Sequence, residues 1–202
     1  KPNGDRTIVN YKSATPSLKN SDIDLADCSP SAILFDGHQP LISMSLAEFA
    51  RNSNIATILD AGSVHRGTVE LLPFVDYLVA SARFAREFTG EQDSSAALNV
   101  LSRHARVVVI TLGEKGLVWK KGSAEGEMPA FRVESIDTTG AGDTFHGAFS
   151  LAIAQGREFS AALKFASAAA ALSCTKLGAR PGIPTKRELD DFLKLSQKEF
   201  EI

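Results

Sequence analysis

The stretch "ATILDAGSVHRGTVELLPFVDYLVAS", residues 56–81, decides the fold. It opens on "ATILDAG" and closes on "YLVAS", two short apolar runs ended by turn or polar residues. Runs of this kind read as strands buried on both faces. Between them "GTVELLPF" reads as a helix, so the stretch is a strand–helix–strand unit. Outward from it, "AILFDG" (residues 32–37) and "RVVVITLG" (residues 106–113) add further buried strands. "SLAEFARNSN" and "DSSAALNVLSRHA" fill the remaining gaps as helices, and Ser45 with Glu48 has the spacing of a capping box opening the first. This alternation predicts an α/β fold with a mostly parallel sheet and helices packed on its faces.

Beyond Gly113 the pattern changes. "GLVWKKG" and "MPAFRVES" read as an antiparallel pair around a Gly/Glu-rich turn at residues 122–127, with Trp119 in the core. Three helices are expected to close the chain. In the first, Ala141, Phe145, Ala148, Phe149, Ala152 and Ile153 form one apolar stripe, ended by Gly156. The second is the alanine-rich "SAALKFASAAAALSC", with Ser160 as its expected N-cap. The third follows Pro184, opened by a Thr185–Glu188 capping box. At the other end, Asn3-Gly4 before "RTIVNY" carries a hairpin signal whose first arm would precede residue 1. The expectation is a chain that begins partway through a larger fold.

The chain has 202 residues, 23% of them charged, and a formal net charge of -2. Its basic residues are scattered, which gives no electrostatic case for nucleic acid. No apolar run approaches the roughly 20 residues of a membrane span, and no signal peptide is evident. Cys28 and Cys174 have no metal spacing and read as reduced, buried thiols of a cytoplasmic protein.

The chemistry lies in "IDTTGAGDTFHGAF", residues 136–149. Gly140-Ala141-Gly142 stands where the first closing helix begins. Free amides at a helix N-terminus make an anion site, and small side chains admit a phosphate to them. Asp143, in the first turn, would repel a resting phosphate; its place makes sense as a proton acceptor for a hydroxyl attacking that phosphate. Losing an anion-hole donor of this kind typically costs about 3–4 kcal/mol of barrier. Ordinary helix capping explains the same residues locally. The turn is neither a Walker A loop nor a dinucleotide fingerprint.

As a whole, residues 137–149 resemble the C-terminal signature of the ribokinase (PfkB) family of carbohydrate kinases. Thr111-Leu-Gly113-Glu-Lys-Gly116 is similar to that family's nucleotide motif. "FASAAAALSCTKLGARPGIP" (residues 165–184) is similar to the helix and loop flanking adenine and a monovalent cation. From Pro129 to Pro184 the likeness is to the sulfofructose and ketohexose kinase branch. The resemblance implies a ribokinase-like three-layer αβα sandwich. All of residues 1–202 would be the C-terminal part of a single kinase domain, without its N-terminal portion and β lid. It implies Asp143 as catalytic base and the amides of Gly140, Ala141 and Gly142 as anion hole. Thr111, Gly113, Gly116, Ser81 and Ser167 would serve the nucleotide, and Asp137 and Thr139 a monovalent cation such as K+. ATP with Mg2+ and a small-molecule sugar would be the partners, and the full-length parent would be a candidate homodimer. One departure stands out: where the family carries Asn-x-x-Glu, this chain has Ser81-Ala-Arg-Phe84, with Glu87 as a conceivable substitute.

Other polar residues carry weaker expectations. Asp36 ends a strand on the side where such sheets bind ligands, and Asp60 does likewise; either would touch substrate, or be simple turn chemistry. Arg66 would meet an anionic substrate group. His146 reads as a partner of Asp143 or as a packed histidine. The leading function is thus an ATP-dependent sugar kinase. A non-catalytic nucleotide- or sugar-phosphate-binding protein is second, and a dinucleotide oxidoreductase third.

Overall fold

The computed structural model describes residues 16–23, 25 and 28–199; the Asn3-Gly4 hairpin signal lies outside them. Six strands form one sheet in sequence order: β1 (Ala32–Phe35), β2 (Ala56–Ala61), β3 (Tyr77–Ser81), β4 (Val107–Thr111), β5 (Leu117–Lys121) and β6 (Ala124–Met128). β1 to β4 are parallel, whereas β5 and β6 run antiparallel. The buried apolar runs of β2, β3 and β4 follow from helices covering both faces.

On one face lie α1 (Pro40–Asn52), α2 (Arg66–Leu71), α3 (Ala82–Thr89) and α4 (Ser94–Leu101), around a core that includes Leu59, Leu78, Phe84 and Ile110. On the other lie α5 (Ala141–Ala154), α6 (Phe159–Ser173) and α8 (Lys186–Glu199), around Ile58, Val79, Val109, Phe149 and Leu163. The short α7 (Ala179–Gly182) joins α6 to α8. The result is the expected αβα sandwich.

Several boundaries differ from the sequence reading. α1 starts at Pro40, not Ser45, because proline at the first helical position has its φ preset and lacks only an amide that would be unpaired anyway. Ser45 is therefore interior, its hydroxyl facing the Leu41 carbonyl. The β5–β6 turn is confined to Gly122 and Ser123, and the Glu-rich residues expected in it form β6 itself. Charged residues are tolerated there because β6 is an edge strand. After Met128 the chain is irregular up to α5, apart from turns, instead of the strand expected for "MPAFRVES". Trp119 is half-buried rather than core, its indole lying over Gly126. α6 is N-capped by Glu158, with Ser160 inside the first turn. Cys28 is exposed and Cys174 half-buried, so neither is a fully buried thiol.

α3 went unrecognised in the sequence. Its signals are plain in the structure: the Ser81 hydroxyl accepts from the Phe84 amide, and Gly90 closes it in the left-handed conformation. Among the described residues no helix is long and apolar enough to cross a membrane.

Candidate active site

The carboxyl ends of the parallel strands converge on the N-terminus of α5. Asp36 follows β1, Asp60 lies near the end of β2, Ser81 ends β3 and Thr111 ends β4. This is the edge at which open α/β sheets bind ligands.

α5 is entered through Gly140, whose φ of 77° is left-handed. A Cβ there would meet the Ala179 Cβ at 2.7 Å. Asp137 holds the preceding turn: one carboxylate oxygen accepts from the Thr139 amide at 2.9 Å, the other from the Gly178 amide at 2.8 Å. The Ile136 amide donates to Cys174 O at 2.7 Å, tying this turn to the end of α6. The Ala141 amide donates to Thr138 O at 3.2 Å. The amides of Gly140, Gly142 and Asp143 have no acceptor among the described residues. These are the unpaired donors a helix start leaves for a ligand. The Ala141 amide, expected in that set, is thus engaged internally, whereas the Asp143 amide is not. A Cβ at Gly142 would meet nothing within 4 Å, so the protein's own packing does not require glycine there.

Two of the hollows at this turn hold most of the expected site residues. A cleft of about 620 Å³ contains Thr111, Gly113, Gly116, Ala141, Gly142 and Ser167. Leu117, Phe131 and Ala170 give it an apolar wall suited to a flat base. Gly116 also has a structural role, since a Cβ there would collide with Met128 O. The second hollow, about 400 Å³, contains Asp36, Asp60, Asp143 and His146. Gly142 lines the first and its neighbour Asp143 the second; Asp143 also borders, with Gly140, a third hollow of about 480 Å³ beside Ala179 and Arg180. Two other hollows, about 650 and 520 Å³, open around Asn54, Asp76 and Arg106, at the opposite ends of the strands. Their carboxylate, the half-buried Asp76, is occupied by the Thr57 amide and hydroxyl.

Not every expected residue reaches the site. The Ser81 hydroxyl donates to Gly62 O while capping α3, and Ser81 lies outside the cleft wall. Arg66 is exposed on α2, donating to Glu70 at 2.7 Å. Glu87 accepts from Arg83 at 2.7 Å and from the Val64 amide, and both pull its carboxyl below the ordinary value. It does not line the cleft. No group of three His, Cys, Asp or Glu able to hold a metal occurs among the described residues.

One arrangement was only half visible in the sequence. His146 is buried, with Nδ1 2.7 Å from Gly142 O and 3.2 Å from Asp60 Oδ2, and Nε2 3.2 Å from Val79 O. Asp60 and His146 lie on different elements and no local pattern joins them. Burial raises the Asp60 carboxyl above its usual value; His146 opposes this, and Asp143 and Asp36 add to it.

Fold and site together define an α/β protein with a nucleotide-sized cleft and a carboxylate-lined hollow on either side of one helix N-terminus. The chain belongs to the pfkB family of carbohydrate kinases, whose model matches residues 1–186. It is 35% identical to a ribokinase of Bacillus subtilis over 148 residues, covering 73% of this chain and 50% of that one. A solved putative ribokinase from Agrobacterium tumefaciens superposes with a TM-score of 0.84 at 31% identity, covering 97% of this chain and 66% of its own. The Arabidopsis thaliana ribokinase complexed with ribose and ATP gives 0.75 at 27% identity, covering 81% and 56%. The chain thus spans half to two-thirds of the length of these relatives.

Proposed function

We propose that this chain carries the phosphoryl-transfer half of an ATP-dependent sugar kinase. The observation that supports it is the meeting of the two hollows at the first turn of α5, with Gly142 and its unpaired amide on one and Asp143 on the other. ATP would lie in the larger cleft, adenine along its apolar wall and phosphates at the amides of Gly140, Gly142 and Asp143. A sugar hydroxyl in the smaller hollow would give its proton to Asp143 as its oxygen attacks the γ-phosphorus. The bond from that phosphorus to the bridging oxygen breaks and ADP leaves. The amides would stabilise charge on the transferred group. Magnesium would arrive with ATP, held largely by phosphate oxygens and water. A monovalent cation at Asp137 and Thr139 would share carboxylate oxygens that already accept two amides.

The likeness of residues 129–184 favours a ketose or sulfo-sugar acceptor, whereas the relatives named above are ribokinases. Among the described residues, Arg66, the cation expected for an anionic substrate group, is instead paired with Glu70 on α2. A cytoplasmic enzyme, dimeric as the full-length protein, completes the reading. The test is sugar-dependent ADP release over a panel of pentoses, ketoses and sulfo-sugars. Asp143→Asn is expected to lower kcat by roughly 10²–10⁴-fold while nucleotide binding persists. The absence of the Asn-x-x-Glu carboxylate favours a second reading, a non-catalytic nucleotide binder. Nucleotide binding without turnover in the natural protein would establish that reading and refute the first.

A further inference from the structure

The contacts of His146 constrain its charge. Gly142 O and Val79 O are carbonyl oxygens and can only accept, and they stand 2.7 and 3.2 Å from the two different ring nitrogens. A neutral imidazole has one N–H. Either tautomer would set a bare nitrogen lone pair against a carbonyl oxygen inside a buried site, an unfavourable contact. Two N–H groups satisfy both carbonyls, and Asp60 at 3.2 Å from Nδ1 supplies the counter-charge that a buried cation requires.

The ring also joins three elements, α5, β2 and β3. Asp60 and Val79 are register partners on β2 and β3, so the imidazole spans that seam. On its other side it grips Gly142 O. That carbonyl and the unpaired Asp143 N–H belong to one planar peptide group. A positive donor on the carbonyl end polarises this group and makes the amide end a stronger donor.

We propose that His146 is a positioning residue acting as an imidazolium, fastening the first turn of α5 to the ends of β2 and β3 and thereby aiming Asp143 and the adjoining amide. The positioning role rests on the kinase reading; the charge state does not. The titratable groups around the pair are Asp143 on α5, Asp36 and His38 after β1, and His65, stacked on His38 with ring centroids 5.0 Å apart.

Nitrogen-15 spectra of histidine-labelled natural protein at neutral pH test the charge directly. Two protonated nitrogens are expected for the resonance pair that disappears in His146→Asn, and Asp60→Asn is expected to convert that pair to a neutral ring. A bare ring nitrogen in the unsubstituted protein overturns the proposal. If His146→Asn does not fold, the Asp60→Asn spectrum supplies the assignment through the one histidine that changes charge. In turnover assays, His146→Asn is expected to lower kcat about 100-fold, the effect of a misplacement near 1 Å, with the KM for nucleotide unchanged. His146→Gln, which like asparagine has no charge, should not rescue it. Unchanged kcat in a folded variant refutes the positioning role. Absence of turnover in the unsubstituted protein refutes the kinase reading, and the spectrum still decides the charge.

Discussion

At the scale of single residues, the two glycines of the α5 entry play different parts. Gly140 holds a left-handed φ of 77° against Ala179, so its side-chain-free backbone is required by the fold. Gly142 faces open space and is required, on the proposed mechanism, only by the ligand. Gly140→Ala should therefore destabilise the protein by about 1–2 kcal/mol or more. Gly142→Ala should be neutral or stabilising by up to about 1 kcal/mol, as alanine favours a helix, yet it should impair phosphoryl transfer. Urea unfolding beside ADP-release kinetics separates the two. Equal stability losses would show that Gly142 too is structural.

Among the elements, α8 depends on its first turn. Thr185 and Glu188 form the capping box read from the sequence, with the Glu188 carboxylate accepting the Thr185 amide at 2.7 Å. Its other oxygen accepts from Lys176 at 2.8 Å, which the sequence pattern did not reveal. These contacts, the Lys176 hydrogen bond first, lower the Glu188 pKa from 4.5 to about 2. A depressed carboxylate pKa stabilises the folded state above its unfolded value of 4.5, and that contribution disappears as pH falls toward about 2. Full exposure to solvent keeps the effect small. Glu188→Gln should thus narrow its stability gap to the unsubstituted protein between pH 5 and pH 2; a gap independent of pH would refute the assignment. Thr185→Ala should cost about 1 kcal/mol at neutral pH, and less toward pH 2, because its hydroxyl also donates to the Glu188 carboxylate.

For the whole molecule, the sheet separates two cores, and α5, which carries the proposed catalytic turn, packs in one of them. Phe149 is fully buried in that core, edge-on to Tyr77 and to Phe159. Phe149→Ala should cost about 3–5 kcal/mol and loosen α5 from the sheet, so activity should fall before global unfolding. Phe84→Ala, in the opposite core, should cost a similar amount, yet its α3 carries none of the proposed catalytic groups. If both variants lose activity in proportion to stability, the two faces are not separable.

The sequence by itself determined the strand order's raw material, the helix at Asp143 and the Thr185 cap, because these depend on local periodicity and on contacts within one turn. It misplaced the start of α1, where Pro40 overrode a capping pattern, and the hairpin, where an edge position tolerated a charged strand. Only the tertiary structure decided which polar groups meet. Arg66 satisfied its hydrogen bond within α2 and Ser81 its own on Phe84 and Gly62, and both stayed out of the cleft, while Asp60, Val79 and His146 came together. Burial is the physical reason: away from water a polar group gains most from a partner, and His146, besides Gly142 O on its own helix, finds Asp60 and Val79 O on two strands.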